Sequence, residues 1–255
     1  MIEPSFVLLG LVGLVIGSFL NVCIHRLPRG ESVVWPASRC ATCQRALSWY
    51  ENVPVVSWLA LGGRCRTCAQ PISAMYPIVE AVTGALFVLG GLFYGWTPLL
   101  AARLLFACAM VVLFVIDLRH RILPNVITVP GVVIGVALSL VLPPGPVSSL
   151  VGAVAGGGVL WLIGESYYRL RGVDGLGMGD VKMLAMIGAF LGWRQMLVTL
   201  VFASLTGSLA GVAVLVSRRG GMQAALPFGT FLAVGALVAA VGGDAILDWY
   251  LQFYR

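Results

Sequence analysis

Long apolar runs separated by short polar joints dominate the chain. Residues 5–22 carry no charge, and further apolar runs cover 74–94, 98–117, 125–142, 148–168, 181–192, 196–217 and 225–247. An α-helix crosses the hydrocarbon core of a bilayer with about 20 residues, and most of these runs have that length. The joints carry turn chemistry: Gly95-Trp96-Thr97-Pro98, Pro143-Pro144-Gly145-Pro146 and Gly192-Trp193-Arg194. The pattern predicts an all-α, polytopic membrane protein with about eight transmembrane helices. The 181–192 run is short and contains glycine, so it is expected to tilt, to thin the bilayer or to sit inside the bundle. Residues 1–22 form the first transmembrane helix, 23–73 a small polar domain, and 74–255 a seven-helix membrane domain.

Composition agrees with this pattern. Of 255 residues, 60% are apolar and 10% are charged, against about 45–50% and 25% in soluble domains. The 16 basic residues outnumber the 10 acidic ones by six. In a soluble protein that excess suggests nucleic acid; in a membrane protein the positive-inside rule comes first. With the N-terminus outside, the cytoplasmic segments are 23–73, 118–124, 169–182 and 218–224. They hold thirteen of the 16 basic residues, so orientation accounts for the charge and no nucleic acid is expected. No basic stretch precedes residues 5–22 and no cleavage motif follows them, so the first helix reads as retained rather than as a signal peptide. Among the small residues of the spans, Gly152, Gly156, Gly157 and Gly158 in one and the Gly207-x-x-x-Gly211 pair in another read as helix–helix contacts.

The 23–73 segment is too small to fold well on an apolar core alone. It contains Cys40-Ala-Thr-Cys43 and Cys65-Arg-Thr-Cys68, two CxxC pairs 21 residues apart. Four thiolates so arranged suit a tetrahedral structural Zn²⁺; a pair of disulfides is the alternative, disfavoured in a reducing cytoplasm. Cys23 and Cys108 fall outside the pattern and read as small membrane-embedded residues.

Acids in or at the edge of apolar spans are costly, about 2.5–3.5 kcal/mol at a helix centre. Asp117 ends the third span and Asp180 opens the sixth. These spans run in opposite directions, so both aspartates are expected at the same cytoplasmic edge. Two carboxylates at one site can share a proton and serve as base and acid toward water and a peptide bond. Each aspartate alone could equally cap its helix. Glu31, Glu51 and Asp174 read as solvated loop charges, Glu80 as a helix-dipole acid, and Glu165 as a candidate for the bundle interior.

Gly17-Ser-Phe-Leu-Asn-Val-Cys-Ile-His-Arg-Leu-Pro28 leads into the CxxC pairs, with Trp49-Tyr-Glu-Asn-Val-Pro54 between them. Tyr76-Pro-Ile-Val-Glu80, Asp117, Leu123-Pro124-Asn125, Gly177-Met-Gly-Asp180-Val-Lys182 and Pro227-Phe-Gly-Thr-Phe-Leu232 follow in order. Together these resemble the bifunctional type IV prepilin peptidase/N-methyltransferases. The resemblance implies a GxGD-type aspartyl protease of the bacterial inner membrane. Its substrates would be type IV prepilins or type II secretion pseudopilins, cut after glycine on the cytoplasmic side. The new N-terminal residue would then be methylated with S-adenosylmethionine. Carried over by motif, Asp117 and Asp180 are the catalytic pair, supported by Gly177, Gly179 and Lys182. Cys40, Cys43, Cys65 and Cys68 are the family's zinc quartet, and Gly63 matches a glycine associated with methyl transfer. The resemblance makes 23–73 the methyltransferase-associated domain and 74–255 the peptidase domain. Ala41 stands where proline is common, and the stretch before Cys40 is short for the family.

Three other functions are compatible with parts of the pattern. One is a non-enzymatic zinc-bearing membrane scaffold, for which Asp117→Asn and Asp180→Asn would leave function intact. Another is a peptidase without methyl transfer. The third is a proton-coupled transporter, which predicts internal repeats and midplane charges; the acids here sit at the edge.

Overall fold

The computed structural model describes residues 3–173, 175–217 and 226–253. Asp174, Arg255, the basic segment 218–224 and the first residue of the 225–247 run lie outside the described residues. Among the described residues the fold is all-helical and divides into two compact units, Met1–Val112 and Leu113–Arg255. The long helices are α1 (Pro4–Arg26), α3 (Met75–Tyr94), α4 (Pro98–His120), α5 (Asn125–Ser139), α6 (Pro146–Arg171), α7 (Met178–Val216) and α8 (Phe228–Gln252); α2 (Val56–Ala60) is one short turn. Six of them are long and apolar enough to cross a membrane. The protein is a multi-pass membrane protein.

Prolines at the joints start helices. Pro4 and Pro146 occupy the first turns of α1 and α6, where the missing N–H costs nothing because it would be unpaired anyway. Gly172, left-handed at φ 69°, ends α6.

In the first unit α1 and α3 pack antiparallel at glycines. A Cβ on Gly13 would meet the Gly84 backbone at 2.8 Å, and one on Gly17 the Glu80 backbone at 2.7 Å. Near the other end, Gly91 faces Leu9. Leu9, Phe87 and Leu100 form a buried cluster there.

In the second unit the contacts define the direction of every segment. Gly131 and Gly135 of α5 meet Met186 and Ala189, so α5 runs parallel to the first part of α7. Gly152 and Gly156 of α6 meet Gly188 and Leu184, an antiparallel pair. The α6–α7 backbones touch: a Cβ on Gly188 would lie 2.1 Å from the Gly152 carbonyl oxygen. The close-packing role expected of Gly152 and Gly156 is observed.

α7 has 39 residues, about 58 Å of helix at 1.5 Å per residue, nearly twice a hydrocarbon core. Gly192 divides it. Its φ of 83° and ψ of 171° are non-helical, in a region open in practice to glycine alone. Beyond Gly192 the chain runs back: Gln195 pairs with Asp244 near the end of α8, and Gly207 faces Phe228 and Phe231 at its start. The two parts of α7 are therefore separate spans, and with α5 they bring the apolar segments to eight, as the hydrophobic pattern predicts. The short predicted run 181–192 is the first part. Gly207 also packs on a neighbouring helix, its missing Cβ 3.6 Å from the Phe231 ring of α8, and Gly211 packs on Leu226 just before α8 at 3.5 Å. Bulky side chains there keep the backbones farther apart than at Gly152. Gly158 differs from expectation and faces open space.

Candidate active site

Asp117 sits in the last turn of α4, which Arg121 ends at φ 54°, its N–H bonded to the Asp117 carbonyl at 2.8 Å. Asp180 sits in the first turn of α7, its N–H bonded to the Gly177 carbonyl at 3.0 Å. Asp117 is 5% exposed and Asp180 half-buried. The start of α7 and the start of α8 meet at one side chain, Leu123. A Cβ on Gly179 would lie 2.9 Å from Leu123 Cβ, and one on Gly229 3.0 Å from Leu123 Cδ1. Leu123 thus links the turn that carries Asp180 to the turn that contacts Asp117.

The first turn of α8 closes on Asp117. The Thr230 backbone N–H donates to Asp117 Oδ2 at 2.8 Å and its hydroxyl at 3.3 Å. The same hydroxyl contacts the Pro227 carbonyl. A Cβ on Gly229 would stand 2.9 Å from that carboxylate oxygen, so the approach depends on glycine. Gly177 lies under the other carboxylate, its missing Cβ 3.3 Å from Asp180 Oδ2. Lys182 turns elsewhere: its Nζ donates to Asn125 Oδ1 at 2.9 Å and ties α7 to α5. Thr230 and Gly229 are the site residues that spacing does not single out. They lie in the 227–232 motif, but only the fold brings that motif to Asp117.

The cysteine quartet lies in the first unit. The four Sγ atoms lie within 4.8 Å of one another, and Cys40 and Cys68 are 3.8 Å apart. Four sulfurs about 2.3 Å from a tetrahedral metal stand about 3.8 Å apart, whereas a disulfide needs about 2.05 Å. All four cysteines are free thiols, and the group can hold a metal ion. Each CxxC forms the same knuckle. The N–H of Cys40 reaches Arg45 O at 2.9 Å while Gln44 N–H returns to Cys40 O at 3.0 Å. Cys65 N–H to Gln70 O and Ala69 N–H to Cys65 O repeat this at 2.9 Å each. Gln44 and Ala69 take the same left-handed conformation, φ 57° and 54°. The N–H groups of Cys68 and Thr67 aim at Cys65 and hold its thiol down to about 6; those of Cys43 and Thr42 lower Cys40. The first cysteine of each knuckle is thus favoured as thiolate, the form a metal requires, while, against the Gln70 N–H, burial and the neighbouring sulfurs push Cys68 up to about 11.

Gly63 precedes the second knuckle at φ 66°, and a Cβ there would strike Trp58 Cζ2 at 2.8 Å. Trp58 Nε1 donates to Ile72 O at 3.1 Å. The Trp58 ring fills the space beside Gly63, so the glycine seats that ring.

Three acids differ from their expected settings. Glu51 is not a solvated loop charge: its side chain is 3% exposed and pairs with Arg45 at 2.6 Å. It also closes a capping box with Ser48, and Arg45 first, then the Ser48 N–H, hold its carboxyl down to about 2. Glu80 is buried and accepts the Val55 N–H at 2.8 Å, a specific bond beyond any dipole effect. Glu165 pairs with Arg169 at 2.7 Å on a partly exposed face, because the i,i+4 spacing offers it a partner.

A family model described as the type IV leader peptidase family matches residues 104–212. One described as the bacterial peptidase A24 N-terminal domain matches residues 11–94. A prepilin leader peptidase/N-methyltransferase of Aeromonas hydrophila is 38% identical over 96% of this chain and 93% of its own length. The chain belongs to the type IV leader peptidase family. The Pseudomonas aeruginosa protein of the same description is 35% identical over 95% of this chain and 92% of its own. A Myxococcus xanthus protein, also so described, is 44% identical over 84% of this chain; the match spans 64% of that relative's length. No solved structure matches the chain. The two family models cover both halves of the site description, the quartet in one and the aspartate pair in the other.

Proposed function

We propose that Asp117 and Asp180 form the proton-sharing pair of an aspartyl endopeptidase that removes the basic leader of type IV prepilins or pseudopilins after a glycine. The carrying observation is the meeting around Leu123 of the α7 turn that bears Asp180 and the α8 turn that binds Asp117, in a chain of the leader peptidase family. One carboxylate takes a proton from water as the water attacks the scissile carbonyl. The other donates a proton to the departing amine. Thr230 holds the Asp117 carboxylate in orientation through two donors, and Gly229 leaves room for it. Gly177 and Gly179 let the α7 turn lie close to an extended peptide. Lys182 supports the same turn through Asn125.

The remaining assignments follow the family. Cys40, Cys43, Cys65 and Cys68 would hold Zn²⁺ as a closed structural site, since four sulfurs leave no position open for catalysis. The 23–73 segment would serve methyl transfer, and 74–255 peptide cleavage. The co-substrate S-adenosylmethionine would supply a methyl group to the new terminal amine. The amine lone pair attacks that carbon, S-adenosylhomocysteine leaves, and the amine loses a proton. Gly63 would act in this through the loop that Trp58 and Ile72 hold, not by touching the donor. The protein would lie in the bacterial inner membrane with its N-terminus outside and the aspartates at the cytoplasmic edge. A prepilin's scissile bond, between its membrane helix and its leader, would reach that edge.

Purified protein given S-adenosylmethionine and a prepilin with a Gly–Phe junction tests the reading by mass spectrometry. The expected product begins at phenylalanine and carries one added methyl. An intact prepilin overturns the peptidase assignment, and a cleaved but unmethylated product overturns methyl transfer.

A further inference from the structure

Between the two CxxC knuckles the chain carries an apolar stripe that the function above does not use. Trp49, Val53, Val56 and Leu59 are all exposed, Trp49 at 81% and Leu59 at 65%. They lie within eleven residues of one another, on the 3₁₀ turn Trp49–Asn52, on α2 and on the turn that joins them. Trp58 instead packs under Gly63.

Two contacts set the depth of this stripe. Val55 donates its N–H to Glu80, and the Glu80 backbone packs against Gly17, the neighbour of Ser18 on α1. Ser18 lies eight residues before the end of α1 at Arg26, about 12 Å inside it. Glu80 lies in the second turn of α3, whose 20 residues match a hydrocarbon core of about 30 Å. The Val53–Val56 turn is thus drawn down beside the membrane helices. Val55 is held at φ 60° and ψ −50°, a costly γ-turn conformation for a β-branched residue. The Glu80 bond helps offset that cost. Phe19 of α1 and Ile78 of α3, exposed at the same level, continue the apolar surface. Arg29, Arg39, Arg64 and Arg66 are exposed on the same segment; of its two acids, Glu51 is neutralised by Arg45 and Glu31 is exposed, so exposed positive charge prevails.

We propose that Trp49, Val53, Val56 and Leu59 anchor the knuckle segment in the headgroup–acyl boundary of an anionic bilayer. Tryptophan with aliphatic neighbours and arginine suits that layer, where the rings sit among headgroups and the guanidinium groups meet lipid phosphate. The inference depends on the helices spanning a membrane and not on the peptidase reading.

The test uses the full chain in nanodiscs of phosphatidylglycerol and phosphatidylcholine. Leu59→Trp adds a reporter indole, read as the difference from wild type. Its emission is expected to be blue-shifted, lost in discs whose lipids carry bromine high on the acyl chain, and spared by acrylamide. Trp49→Phe should remove a bromolipid-quenched component from the native emission, which keeps the test decisive if Leu59→Trp fails to retain its metal. Emission quenched by acrylamide and indifferent to bromolipid overturns the proposal. So does shielding that appears only on adding a prepilin or on concentrating the protein, since the surface would then belong to a substrate or a second copy.

Discussion

At Gly229 the site depends on an atom that is missing. A methyl group there would come within 2.9 Å of Asp117 Oδ2 and 3.0 Å of Leu123, so Gly229→Ala must push α8 off the carboxylate or rotate the acid away. Overpacking of this kind costs about 1–3 kcal/mol. Here it would strike the proposed catalytic carboxylate, so cleavage is expected to fall at least tenfold while the fold survives; wild-type kcat in this variant would contradict the proposal. Glu51 carries the clearest pH signature. Its carboxyl titrates at about 2, below the roughly 4.3 of an unfolded glutamate. Its contribution to stability is therefore complete above pH 4.3 and is lost as pH falls toward 2. The stability gap between wild type and Glu51→Gln, with metal content tracked in the same samples, is expected to be constant from pH 7 to 5. It should close below pH 4. A gap that persists at pH 2.5 would mean that packing, not charge, supplies it. The acids also mark how far residues can be read from sequence. Asp117 and Asp180 are legible because charge at the edge of an apolar run is rare. Glu80, Gly229 and Thr230 are not, because their partners lie across the fold; Glu51 differs, since its partners Arg45 and Ser48 are close in sequence and Ser48-x-x-Glu51 is a local capping pattern.

Elements were more legible than residues. Apolar run length locates every span, and proline and glycine joints locate the starts of α4 and α6 and the break in α7. The weight carried by that break was less visible. Gly192 adopts a conformation denied to alanine, and an added Cβ would come within 2.5 Å of Ser148 Oγ and 2.9 Å of Pro144. Gly192→Ala is expected to lower the thermal midpoint of the second unit, with a cost of about 1–3 kcal/mol; an unchanged midpoint would contradict the observed turn. The knuckles form another element-level dependence. A segment this small has little apolar core, so a chelator or Cys65→Ser should release the metal and expose Trp58, seen as a red shift in its emission. Trp58 emission that ignores chelation would show that the fold of this segment stands without metal.

Across the whole molecule, the arrangement of charge carries both topology and chemistry. Basic residues are concentrated in the polar joints of the sequence, and the two aspartates open at one end of the second unit. The contact pattern reproduces the alternation that the apolar runs imply. α5 and the first part of α7 run away from the aspartates, and α6 and the second part of α7 run back. The convergence of Asp117 and Asp180 follows from that alternation, whereas the closing of α8 over one of them does not. The central claim is that the two carboxylates work as a unit on one peptide bond. Single-turnover cleavage of a Gly–Phe prepilin by Asp117→Asn, Asp180→Asn and the double variant measures it directly. Each single variant is expected to lose about 10²–10⁴-fold or more in rate, with the double variant no slower than either. Cleavage at the wild-type rate by either single variant would contradict the account.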